Sequence, residues 1–302
     1  MSTHPLEPMM NDIIARIERG VPPWRQAWAN GADPTSPLRS DGQPFTGSNA
    51  WLLSFAGAIR GYTSPYWFTF RQALAIGAPV MKGAKSSIAI LYKTRVVEDG
   101  GASGDDYGRG GAEAEARVLR YLKSYAVFSA HQLTDCPEHY LQAPKVDPAA
   151  RLAARNAVLD AIPAVVEFGG NRACYVPSRD VICLPPPERF DTTDDYQATL
   201  AHEAAHWSGA PHRLNRTFGE RFGDEAYAFE ELVAEISACA LGLRIGLRPQ
   251  LLDGHAAYLA HWAKILKDRP GALLEASGHA QRAVDHLLAY SQPAALAETL
   301  AA

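Results

Sequence analysis

The chain has 302 residues, 47 % apolar and 21 % charged, and its length favours two domains over one. It has no apolar run long enough to cross a membrane and no basic or apolar leader, so we expect a soluble, cytoplasmic protein without a membrane partner. The net charge of −4 hides an asymmetry: residues 1–97 hold ten bases against five acids and residues 146–302 hold 14 against 20, so the N-terminal part suits a polyanion.

In chain order, Met10, Ile13, Ile14 and Ile17 fall at helical spacing over 7–19, with Gly20 placed to stop the helix. Helices are expected near 48–59 and 69–76, and strands near 87–97 and 117–128. The Gly-rich stretch between those strands reads as a hairpin tip, because it lacks the Lys-Ser/Thr ending of a phosphate loop. Residues 136–148, with Pro137, Pro144 and Pro148, read as a linker between domains at 1–135 and 149–302. A helix at 148–160 is followed by Val165–Phe168 and by a hairpin of 173–176 and 181–184, and from Asp194 onward the pattern is helical. Strands first and helices after give an α+β class: a small α+β domain, then a mostly helical domain with a short sheet. Cys136, Cys174, Cys183 and Cys239 form no CxxC pair, which argues against a zinc ribbon or disulfide scaffold and reads as small buried or half-buried thiols.

The segment Thr199 to Gly209 contains HExxH on a helix-compatible run, so His202 and His206 at i, i+4 form a bidentate metal clamp. Glu203, one position after the first ligand, is the candidate general base. Two sources of a third ligand compete. His212 completes the string HExxHxxGxxH, but that pattern also needs a methionine turn downstream, and the four methionines are Met1, Met9, Met10 and Met81. The stretch Tyr227 to Ala238 instead offers Glu231 and Glu235 one helical turn apart. We assign Glu231 to the metal and Glu235 to orienting a ligand histidine, with the reverse, or Glu230 as ligand, left open. Two imidazoles and one carboxylate leave a position open for water, which marks a hydrolytic rather than a closed site. Zinc is the first expectation, with Mn²⁺ or Co²⁺ as substitutes. Strand 181–184 would align a peptide substrate as an edge, and Tyr196 and Tyr227 are candidates to stabilise an oxyanion.

Four of the six tryptophans, Trp24, Trp28, Trp51 and Trp67, fall in the first 67 residues, interleaved with Arg25, Arg60 and Arg71 and followed by Lys82, Lys85 and Lys93. Aromatic faces beside cations suit single-stranded DNA, whose unpaired bases stack and whose phosphates need neutralising. Each ring can equally serve a domain core.

Together the landmarks Pro23-Trp24, Gly47-Ser-Asn49, Gly61-Tyr62, Trp67-Phe-Thr69, Lys82-Gly83, Tyr125-Ala-Val-Phe128, Asp180-Val-Ile182, His202-Glu203, His206-Trp207, Arg213-Leu214 and Tyr227 to Glu235 resemble the ArdC-type antirestriction proteins, related to the accessory region of TraC primases. The resemblance implies a single-stranded-DNA-binding N-terminal domain and a zincin-like metallopeptidase C-terminal domain, carried on mobile elements to protect incoming DNA. On that resemblance Trp24, Arg25, Trp28, Asn49, Trp67, Arg71, Lys82, Lys85 and Lys93 are the DNA-binding candidates. A restriction subunit or another host protein is the candidate substrate, and the competing reading is a metalloprotease that uses DNA only for localisation.

Overall fold

The computed structural model describes residues 7–19, 35–97, 117–219, 225–247, 256–269 and 271–291. The candidates Trp24, Arg25 and Trp28, the stop at Gly20 and the Gly-rich hairpin tip fall outside the described residues, as does the side chain of Lys93.

Helix α1 (Glu7–Glu18) buries Ile13, Ile14 and Ile17, the stripe that the helical spacing predicts. Helix α2 (Ser48–Ile59) is buried over most of its length, because it lies between a sheet and the C-terminal helices. That sheet has the order β1-β3-β2, built from β1 (Trp67–Thr69), β2 (Ser87–Val97) and β3 (Arg117–Ser129), with both pairings antiparallel. Between β1 and β2, helix α3 (Phe70–Ala75) starts at a capping box in which Thr69 accepts from the Gln72 backbone and the Gln72 side chain accepts from the Thr69 backbone. The side chains of Tyr140 and Leu141, in the stretch read as a linker, pack on the cluster around Phe68, and the Tyr140 hydroxyl donates to the Ser40 carbonyl.

Asp147 caps α4 (Pro148–Asp160), whose first residue is a proline that has no N–H to leave unpaired. A second sheet follows, formed by β4 (Val165–Phe168), β5 (Cys174–Val176) and β6 (Val181–Leu184) in the order β4-β6-β5. The β5–β6 pairing is the expected hairpin, but β4 pairs with β6 in parallel, so β6 is the central strand. The edge role expected of 181–184 is therefore corrected: β6 has both sides occupied, and β4 and β5 are the edges. Among the described residues four further α-helices follow: α5 (Thr193–Ser208), α6 (Glu225–Ile245), α7 (Ala256–Asp268) and α8 (Ala272–Leu288).

The architecture is the α+β arrangement of two domains, one around each small sheet, with the second mostly helical. One hydrophobic cluster runs across both parts, joining Ile13, Trp51 and Phe55 of the first to Leu232, Ile236 and Trp262 of the second. Trp51 donates its indole N–H to Ser277 Oγ at 3.1 Å, and Ser36 donates to the Leu243 carbonyl at 3.1 Å. Trp51 thus belongs to the interior. Each large side chain fully buried there stabilises by roughly 1.5–3 kcal/mol, so this shared core is a substantial tie between the two parts. Among the described residues no helix is long and apolar enough to cross a membrane.

Candidate metal centre

Helix α5 carries the HExxH run through the interior, between β5 and β6 on one side and α6 and α8 on the other. Its N-terminus is fixed by Thr192, whose hydroxyl accepts from the Asp195 backbone, and residues 201–208 are all buried. The i, i+4 spacing turns both imidazoles the same way, leaving His202 Nε2 and His206 Nε2 3.1 Å apart. Helix α6 brings Glu231 against them, with Oε2 3.6 Å from His202 Nε2 and Oε1 3.6 Å from His206 Nε2. His202, His206 and Glu231 form a cluster whose ligand atoms all lie within 4.8 Å of one another. A tetrahedral ion with ligand bonds of about 2.0–2.1 Å separates its ligand atoms by about 3.3 Å, so these side chains fit a divalent cation with little movement. His202, Glu203 and Glu231 are all nearly buried, which suits a water-poor site.

Electrostatics favours the same set. Burial resists charge on Glu231, yet hydrogen bonding to His202 and the nearness of both histidines hold its carboxyl down at about 2, with a further hydrogen bond from Tyr227. On His202 desolvation acts against the charged form, but Glu231, Glu203 and Glu230 outweigh it and raise the pKa above the ordinary histidine value. Tyr227, an oxyanion candidate in the sequence, therefore serves Glu231. Tyr196, the other, packs edge-on against Phe190 and beside Phe168.

The carboxylate behind His206 is Glu230, which the sequence left open as a ligand. His206 Nδ1 donates to Glu230 Oε1 at 3.2 Å, a contact that fixes the tautomer and leaves Nε2 with a lone pair for a metal. Burial would push the Glu230 carboxyl up, but hydrogen bonds from His206 and Arg216 hold it below the usual range. Arg216 also donates to the Ala205 carbonyl at 2.6 Å and to Ser208 Oγ at 3.0 Å, so it closes the end of α5 as well. Gly209 makes room for it: a Cβ there would stand 2.7 Å from Arg216 Nη2 and 2.8 Å from Phe218 Cζ. Arg216 was missed in the sequence because it lies in an aperiodic loop. Glu235 is buried one turn beyond Glu231 on α6.

His212 is directed elsewhere. Its side chain is 62 % exposed and its Nε2 stands 3.3 Å from Asp180 Oδ2, so it is corrected from alternative ligand to neighbour of the Asp180–Arg213 pair. Arg213 pairs with both oxygens of Asp180, donates to the Trp207 carbonyl and lies 3.8 Å over the Trp207 ring, tying the β5–β6 turn to the end of α5.

The DNA-binding candidates divide. Trp67 is 2 % exposed, packed against Leu53, Ala56, Ala89 and Val127, which corrects its stacking role: the ring is core. Asn49 is corrected likewise, because its amide is spent on Ile90, donating to the carbonyl and accepting from the N–H at 2.7 Å each, which pins α2 to β2. Arg71, Lys82 and Lys85 are exposed. Phe70, 53 % exposed beside Arg71, is an aromatic face that sequence reasoning passed over because no periodicity separates exposed from buried rings.

Residues 4–128 match the family model of the N-terminal domain of the anti-restriction factor ArdC, and residues 153–279 match a zincin-like metallopeptidase model. The crystal structure of antirestriction ArdC from plasmid R388 superposes with a TM-score of 0.74 in its metal-free form, at 38 % identity over 93 % of this chain and 96 % of that one. Its Mn(II)-bound form gives a TM-score of 0.72 at 36 % identity, over 95 % of this chain and 98 % of that one. The protein y4eC of Sinorhizobium fredii (strain NBRC 101917 / NGR234) is 30 % identical over 290 residues, 95 % of this chain and 92 % of that protein. DNA primase TraC of Escherichia coli is 32 % identical over 298 residues, 95 % of this chain, and the chain spans only 20 % of its length.

Proposed function

The chain belongs to the ArdC-type antirestriction family, with an ArdC N-terminal domain and a zincin-like domain, and on that premise we propose that it binds single-stranded DNA without sequence preference and carries a divalent-metal peptidase site. The observation that carries the reading is the convergence of His202, His206 and Glu231, with Glu230 and Arg216 holding His206 from behind. The Mn(II)-bound ArdC relative supports a divalent cation here, and zinc is our first choice for a His/His/Glu set. As in that family, the protein would act for a plasmid or other mobile element.

When bound, the cation would polarise a substrate carbonyl and lower the pKa of a water. His202, His206 and Glu231 would hold the cation. Glu203, adjacent to His202 on α5, takes the proton of the attacking water on its carboxylate and returns it to the leaving nitrogen. The edge strand that packs against α5 is β5, so an extended peptide would be aligned along Cys174–Val176, in place of the 181–184 segment. Exposed Arg71, Lys82 and Lys85 would neutralise phosphates, with Phe70 as a stacking face.

The test is metal content together with titration of fluorescent single-stranded DNA on wild type, Glu203→Gln and the Lys82→Ala/Lys85→Ala pair. The reading expects Glu203→Gln to keep metal and DNA affinity while losing peptide hydrolysis, and the lysine pair to lose DNA affinity and keep metal. Absence of DNA binding by wild type would overturn the DNA half of the reading and leave the metalloprotease alternative, acting on a host protein such as a restriction subunit.

A further inference from the structure

We propose that Cys174 and Cys183 form a dithiol site that closes to a reversible disulfide beside the metal centre, with a small-molecule disulfide as oxidant. The two residues are direct partners in the antiparallel β5–β6 pairing. Such partners have Cα atoms about 4.5–5.5 Å apart and side chains on one face, inside the range of about 4.4–6.8 Å that a disulfide spans. Both cysteines are free, and the thiols lie close enough for Cys183 to act electrostatically on Cys174. Cys174 is exposed, so an oxidant reaches it, and Cys183 is half-buried behind it, placed as the resolving thiol.

The step balances as two exchanges. The Cys174 thiolate attacks one sulfur of the external disulfide, forming a mixed disulfide and releasing one thiol. The Cys183 thiolate then attacks Cys174 Sγ, and the second external thiol leaves. The protein gives up two electrons and two protons, and the oxidant is reduced to two thiols. Burial, and next to it the Glu203 carboxylate, hold the Cys174 thiol above its ordinary value, which slows the first attack.

The position gives the bond a consequence. Cys174 opens β5, at the end of the hairpin away from the 177–180 turn, and lies near Glu203. Reduced, β5 is held to β6 by a ladder of only three residues; oxidised, its open end is tied covalently, and the strand facing α5 loses freedom to shift or separate.

The experiment treats the full-length wild-type protein with oxidised glutathione, alkylates the remaining thiols and maps the peptides. The expected result is a Cys174–Cys183 crosslink reversed by dithiothreitol, with Cys136 and Cys239 alkylated and slower amide exchange in the β5 peptide after oxidation. A glutathione adduct retained on Cys174 with Cys183 alkylated, no change in either thiol, or unchanged β5 exchange in crosslinked protein would overturn the proposal. None of these readouts depends on peptidase activity or bound metal.

Discussion

Arg216 grips Glu230 with two parallel hydrogen bonds, Nε to Oε2 at 3.0 Å and Nη2 to Oε1 at 2.8 Å, in a pair whose side chains are only 3 % and 5 % exposed. A buried pair of this kind is costly to break from one side, because the partner is left charged without compensation. Arg216→Met should therefore destabilise the fold by about 3–5 kcal/mol, read as a fall in the urea midpoint. A midpoint within error of wild type would show that the pair carries no such role.

Glu230→Gln keeps the shape of the side chain and removes the charge that fixes His206. Metal affinity of the folded protein should fall roughly 10–100-fold, as is usual when the carboxylate behind a ligand histidine is lost, and the Arg216 left unpaired should also lower the urea midpoint. Calorimetric titration with Zn²⁺ or Mn²⁺ checks this, and unaltered affinity would return the orienting role to another group.

Hydrogen bonding to Arg213 lowers the Asp180 carboxyl from 3.8 to about 2. A carboxyl depressed in the folded state contributes stability that is present above its unfolded pKa and lost as pH falls through the folded one. The tie between the β5–β6 turn and α5 should thus be at full strength above about pH 4 and weaken toward pH 2. Denaturant midpoints of Asp180→Asn against wild type should converge over that interval. The effect is modest, since the Asp180 side chain is 39 % exposed.

In the N-terminal domain, Trp67→Ala should cost about 3–5 kcal/mol of stability, the loss expected of a core aromatic. Phe70→Ala should leave stability nearly unchanged and weaken single-stranded DNA binding by about 1–3 kcal/mol, and each lysine lost at 82 or 85 should flatten the salt dependence by about 0.7 in slope. Thermal melts beside DNA titrations at two salt concentrations separate these outcomes. Full DNA affinity in Phe70→Ala would remove the stacking face.

Much of this was legible because it is periodic. Ile13, Ile14 and Ile17 repeat at helical spacing, and His202 and His206 one turn apart must share a face. What was not legible lies where periodicity is silent. Helix α6 is buried on nearly every side, so its pattern gives no polar face by which to decide between Glu230, Glu231 and Glu235. Consecutive carboxylates point about 100° apart on a helix, which is how Glu230 and Glu231 reach opposite nitrogens of one imidazole. Arg216 sits in an irregular loop, and the parallel β4–β6 pairing leaves no turn signal, so the central place of β6 could not be read locally. Trp67 and Phe70 show that aromatic composition does not separate a stacking surface from a core.

The measurement that tests the central claim most directly is metal stoichiometry by elemental analysis on wild type, Glu231→Ala and His212→Ala, each purified identically and confirmed folded by circular dichroism. The account predicts one equivalent of divalent metal in wild type and His212→Ala and none retained by Glu231→Ala. Full occupancy in folded Glu231→Ala would contradict it.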